Sequence, residues 1–344
     1  MIHLLWKNPQ GVEDVRALVQ TAIDLEFSTL PPYLYAKFSL LPEKNNVALQ
    51  LLNSVVGEEM IHMCLACNIM NAIGGQVSIT PPKYPGPLPG DVDADITVHL
   101  LPFSPEAMQQ GMNIESPVHP LEPPVMDTFM LVDEEGPVSI GVFYKKLEEA
   151  LKALPANEWI PDRNQFSDAQ YFQGQLFAVN GCDDASRAIN NIVSEGEGSP
   201  KTATEGSPLD FEGDIAHYYR FEELYRNKIL TKDVTQATGY VWGADLGVDW
   251  AGIYNALSDP QTHDFSREPK AAIAAQRDCN LVFSTMVDEL CRAFRGEQGR
   301  LGNAIRAMFD LRMAATKALT TPLNCGQVAG PGFQYVSQTK GAAL

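Results

Sequence analysis

Two acid-x-x-His pairs stand out on helical stripes of this chain. In the segment from Asn46 to Ile73 the apolar face is Leu52, Val55, Val56, Met63, Ala66, Ile69, Met70 and Ile73. At about 100° per residue, Glu59 falls near the centre of that face, with His62 on the same side. An ionised carboxylate there is costly unless something pairs with it. A histidine three residues on is what a metal site would use, and Glu-x-x-His is the spacing of carboxylate-bridged bundles. The pattern returns with aspartate, as Asp214, His217, Tyr218, Phe221, Leu224 and Tyr225 share one face. Glu26 lies in phase with Ala22, Leu25 and Thr29. Glu58 points roughly 90° away from the apolar face, toward solvent or a rim. A fourth carboxylate is expected from Ala188–Gly198, where Glu195 and Glu197 both lie roughly 90–110° off the apolar face, so the wheel does not choose between them.

Four carboxylates and two imidazoles form a donor set for two cations of the iron or manganese type. Carboxylates offset the ionic charge and can bridge, while histidines cap the outer positions and leave room for dioxygen or substrate. One Glu-x-x-His alone is a weak signal and reads more readily as a surface pair or a satisfied core histidine. Two such pairs in phase with apolar stripes, together with Glu26, favour metal. Tyr218 and Tyr219 flank the second histidine, which offers a redox or supporting role beside ordinary packing. His3, His99, His119 and His263 have no periodic partner and read as surface residues.

These residues require helices to hold them. Apolar spacing predicts core helices at about 12–41, 46–73, 184–197 and 212–228, with a break or kink at Pro31-Pro32. Eleven of the 24 prolines lie between Pro81 and Pro124, so 76–183 reads as a long irregular crossover, with weak helical spacing returning at Val142 to Leu154. Within it, the alternation from Asp95 to Leu101 fits an edge strand. A helical hairpin is expected across 268–320, broken at Gly296 to Gly299.

The chain has 344 residues, read as one domain, 1–344, and 43 acidic against 25 basic residues give a net charge of −18. That balance disfavours nucleic acid and anionic membranes as partners. The short apolar run at the amino terminus does not resemble a signal peptide, which predicts a cytoplasmic protein. Six cysteines are too sparse for a disulfide scaffold, and the Cys64-x-x-Cys67 pair reads as buried thiols.

The strings LEFSTLPPYLYAKFS (Leu25 to Ser39), VVGEEMIHMCLACNIMNAIGG (Val55 to Gly75), AINNIVSEGEG (Ala188 to Gly198), AHYYRFEEL (Ala216 to Leu224) and GPGFQYV (Gly330 to Val336) resemble a known family. It is the ferritin-like domain of the violacein- and rebeccamycin-pathway synthases, the iminophenyl-pyruvate dimer synthase type. The resemblance implies Glu26, Glu59, His62 and His217 as ligands and points to Glu197 in the Gly-Glu-Gly string; Asp214 falls where the family varies. The pathway synthases are also much longer.

The expected fold is all-α, a ferritin-like four-helix bundle with a long Pro-rich crossover and an extra C-terminal helical hairpin. The expected metal ligands are Glu26, Glu59, His62, Glu197, Asp214 and His217, with Glu59 and Glu197 bridging, and Glu59, Glu197 and Tyr218 as catalytic candidates. The function expected is a non-haem, di-iron oxidoreductase (manganese being the other candidate metal). It would use dioxygen on a small, amino-acid-derived molecule in secondary metabolism. The alternatives are imine coupling without oxygen activation, or a non-catalytic metal-binding protein. The bulky crossover would obstruct a storage cage and favours a small homo-oligomer.

Overall fold

The computed structural model describes residues 2–90, 96–117, 135–168, 172, 174–198 and 207–337. Its centre is a hairpin of two long helices, α1 (Val12–Phe38) and α2 (Asn46–Ala72), packed on each other. From Ile61 to Ala72 every residue of α2 is buried, as befits a helix with neighbours on all sides. α2 stops where Gly74 adopts a left-handed φ of 77°.

The expected break at Pro31-Pro32 does not occur, and α1 runs through both prolines. Pro32 cannot donate to the carbonyl of Ser28, four residues earlier. The Tyr84 hydroxyl, arriving from the crossover, donates to that carbonyl at 2.5 Å instead. A tertiary contact thus replaces the missing helical one.

The crossover carries two helices, the first concealed by the proline count and the second close to the helical spacing expected at Val142 to Leu154. α3 (Pro105–Ile114) begins at Ser104, whose hydroxyl accepts from Ala107 N at 3.1 Å, and Pro105 occupies the first turn, where it costs no hydrogen bond. After the short strand β2 (Gly136–Ser139), which pairs antiparallel with β1 (His3–Trp6), α4 (Ile140–Lys152) starts on the Ser139 cap. The expected strand around Asp95 to Leu101 is reduced to one bridge, between Gly86 and Val98; Asp95 itself lies outside the described residues. Buried Asn68 of α2 pins a later stretch of crossover. Its amide donates to Phe166 O and Phe177 O at 2.8 and 2.9 Å, and its carbonyl accepts from Phe166 N at 3.0 Å.

α5 (Cys182–Glu197) pairs with α4, and α6 (His217–Arg226) pairs with α3. Gly111 of α3 lets the Phe221 ring of α6 lie close, since a Cβ there would be 2.7 Å from the ring. Both α5 and α6 also pack on α2, while α3 and α4 reach α1. A two-stranded ladder, β3 (Lys228–Lys232) with β4 (Tyr240–Asp245), follows. The expected carboxyl-terminal hairpin is present as α7 (Lys270–Phe294) and α8 (Leu301–Leu319). The architecture is mostly helical. Among the described residues no helix is long and apolar enough to cross a membrane.

Candidate metal centre

Glu26 from α1 and Glu59 and His62 from α2 converge, all buried. His62 Nδ1 lies 3.5 Å from Glu26 Oε2 and 3.8 Å from Glu59 Oε1. A second group shares Glu59 and adds Glu115 and His217. His217 Nδ1 is 2.8 Å from the same Glu59 Oε1 and 3.9 Å from Glu115 Oε2. The two imidazole rings face each other with centroids 5.5 Å apart.

The two halves are built alike. Each histidine has its outer nitrogen tied to a carboxylate, His62 Nε2 to Glu195 at 2.8 Å and His217 Nε2 to Glu58 at 2.9 Å. A carboxylate on Nε2 holds the proton there and turns the Nδ1 lone pair inward, the usual arrangement behind a metal-bound imidazole. A tyrosine supports the unshared carboxylate in each half. The Tyr144 hydroxyl donates to Glu26, and the Tyr33 hydroxyl donates to Glu115 Oε1 at 2.6 Å. The shared Glu59 accepts from Thr29 Oγ1 at 2.7 Å through its other oxygen. Arg220 donates to Glu58 at 2.8 Å and steadies it.

Protonation reflects this crowding. Burial, with a further push from Glu59, raises the Glu115 carboxyl to about 8, and burial also raises Glu26. Burial opposes charge on both histidines, yet the carboxylates around them outweigh it, raising His62 and bringing His217 to about 9. Without a cation the cluster must therefore hold extra protons. His217 Nδ1 has no hydrogen-bond partner despite complete burial, because its close contact with Glu59 lacks hydrogen-bond geometry. A buried nitrogen set among carboxylate oxygens without a well-formed hydrogen bond fits a metal ligand better than a structural histidine. The donor set of oxygens and imidazole nitrogens suits iron or manganese.

Five of the sequence-derived candidates lie at this centre or beside it, and two do not. Glu26, Glu59, His62 and His217 come together as described. Glu197, half-buried, lines a cavity of about 30 Å³ alongside Glu26, Glu59, His62 and Glu115. Its carboxylate lies against Gly141 of α4, where a Cβ would meet Oε1 at 2.5 Å. Glu195, the alternative, is the one that touches His62.

Asp214 is exposed and outside the cluster. The expected helix from 212 begins instead at His217, because the Asp210 carboxylate gathers the N–H groups of Glu212, Gly213 and Asp214 into a turn at 2.8, 2.8 and 2.9 Å. Helical spacing does not apply across that turn. Tyr218 lines a different groove, with Met112, Tyr225 and Trp242, rather than the cavity beside the carboxylates. His99 pairs with Asp259 and His263 with Glu268, while His119 lies outside the described residues.

Glu115 and Glu58 were missed. Glu115 follows α3 directly and continues the stripe Met108, Gly111, Met112, a short helical pattern hidden by the density of prolines from Pro81 to Pro124, of which Pro105 starts the helix. Glu58 lies off the apolar face of α2, but that side is covered by α6.

Residues 19–226 match a family model described as Ferritin-like. Among solved structures, the crystal structure of a ferritin-like protein from Caulobacter vibrioides at 1.95 Å resolution is similar over 97% of this chain and 100% of that chain. Its TM-score is 0.67 at 21% identity, a likeness of fold. No curated protein matches the chain.

Proposed function

The chain belongs to the ferritin-like family, and from there we propose that it is a non-haem oxidoreductase holding two metal ions, iron by the chemistry of its donors. One ion would be held by Glu26, Glu59 and His62, the other by Glu59, Glu115 and His217, with Glu59 shared. The observation that carries this reading is the pair of inward Nδ1 atoms around one carboxylate oxygen, each imidazole anchored from behind by Glu195 or Glu58. Glu197 then serves at the open cavity rather than as the second bridge, and Asp214 has no part.

When bound, such an ion pair supplies electrons to dioxygen and Lewis acidity to a ligand. The protein's own residues do the rest. Thr29, Tyr33 and Tyr144 fix the carboxylate orientations through their hydroxyls. Glu195 and Glu58 keep a proton on each Nε2, so that Nδ1 stays available. Glu197, facing the cavity, is the group placed to take up or release a proton next to a ligand of the size of water or dioxygen. Ile140 and Ile192 wall the cavity and limit water.

The substrate class follows from the resemblance of the Ala188–Gly198 and Ala216–Leu224 strings to imine-dimer synthases: a small amino-acid-derived molecule, in secondary metabolism. The test is metal analysis and oxygen uptake. We expect about two iron ions per chain in the wild type. One ion should be lost in Glu115→Gln, both in Glu59→Ala, and none in Asp214→Asn. Stoichiometric zinc without oxygen consumption would refute the oxidoreductase. Imine dimerisation that proceeds equally well without oxygen would replace it with a coupling enzyme.

A further inference from the structure

We propose that an apolar cavity between the α1–α2 and α7–α8 hairpins is a second binding site, for a medium-chain carboxylic acid whose carboxylate is held by Lys37 and Arg312. The cavity encloses about 300 Å³, the lower end of the range for small-molecule sites. Its walls include Phe27, Met63, Phe283, Met286, Leu301 and Met308. The Phe27 and Phe283 rings lie nearly parallel, 6.1 Å apart, and the methionines provide an adaptable lining.

Polar groups gather at one end. Lys37, near the end of α1, donates to Asn53 of α2 at 2.7 Å, and Arg312 of α8 lines the same cavity. Burial and that neighbouring guanidinium hold the Lys37 ammonium down at about 8. Among the described residues neither cation has an acidic partner, although the chain carries a net charge of −18. Two cations lining one apolar slot without an acidic partner lack an anion, and a carboxylate would relieve both.

From Lys37 back to Phe27 the slot follows α1 for ten residues, about 15 Å at 1.5 Å per residue. An extended apolar chain of medium length fits that dimension. Lys37 alone could serve the carboxyl-terminal dipole of α1, but Arg312 lies within α8 and has no such role. The site is distinct from the metal centre: none of Glu26, Glu59, His62, Glu115 and His217 lines the cavity, whose walls take the other faces of α1 and α2 through Phe27, Met60 and Met63.

The test is calorimetric titration of the full chain, metal-free and metal-loaded, with decanoate below its micelle concentration and with decanol as the uncharged control. Decanoate should bind both forms equally, with decanol at least about tenfold weaker. Lys37→Gln should weaken decanoate about tenfold, the scale of one charge-assisted hydrogen bond, and exposed Arg312→Gln several-fold. The proposal is overturned if decanoate does not bind, if decanol binds as tightly, or if neither substitution weakens decanoate. Saturation of the cavity by a second copy, seen as a dimer that decanoate does not dissociate, would overturn it too.

Discussion

Glu58→Gln isolates the support behind one histidine without touching any candidate ligand. Burial alone would raise the Glu58 carboxyl. Its contacts with His217 and Arg220 outweigh burial and hold it at about 2, against 4.5 for a free glutamate. At about 1.4 kcal/mol per pKa unit, that gap is worth about 3 kcal/mol of folding stability. A depressed carboxyl contributes above its unfolded value, so this stability is present at neutral pH and lost as pH falls from 4.5 toward 2. The amide keeps the shape of Glu58 but removes the charge. Urea denaturation of the metal-free variant at pH 7 should therefore show a loss of about 3 kcal/mol, shrinking toward zero in acid. In metal titrations the ion nearest His217 should bind about 10–100-fold more weakly, while the ion at Glu26 and His62 keeps its affinity. Wild-type stability together with two ions bound at wild-type affinity would refute the idea that Glu58 orients His217.

Further outcomes follow from other contacts. Tyr84→Phe removes the donor to the Ser28 carbonyl and should cost about 1–3 kcal/mol in urea denaturation; an unchanged midpoint would mean that α1 tolerates Pro32 unaided. Gly111→Ala forces a methyl to within 2.7 Å of the Phe221 ring. The overpacking should cost about 1–3 kcal/mol and displace Glu115 with the end of α3, so that titration shows the second ion weakened more than the first. In the metal-free protein, His217 is raised to about 9 by Glu58 and Glu59 against the effect of burial, and Glu115 is raised to about 8 by burial and by Glu59. Raised values mean that the fold holds these protons more tightly than the unfolded chain does. That stability is lost as pH climbs, over 6.5 to 9 for His217 and 4.5 to 8 for Glu115. The metal-free melting midpoint should therefore fall between pH 6.5 and 9, whereas metal loading, which displaces the protons, should remove the trend. Scanning calorimetry checks this, and a flat metal-free profile would contradict it.

The stripes on α1 and α2 were legible because 3.6-residue periodicity is a local property: the residues that share a face with Glu26 or Glu59 are near in sequence. The same locality misled at Asp214. Helical phase was extended through a segment that a single carboxylate, Asp210, folds into a turn. At Pro31-Pro32 a local rule forecast a break or kink, yet the helix is unbroken and a distant tyrosine hydroxyl donates to the carbonyl that Pro32 leaves unpaired. Chain order offered no means of seeing that hydroxyl.

From its residues alone, then, the chain determined its helical class, its terminal hairpin and the juxtaposition of Glu59 with His62, since each follows from short-range spacing and apolar patterning. Tertiary packing decided which groups complete the centre. Glu115 comes from a helix inside the proline-rich crossover, and Glu58 reaches inward because α6 covers a face that α2 by itself would leave wet. A helical wheel reports direction relative to one axis, whereas a site enclosed by several helices depends on where the other axes lie.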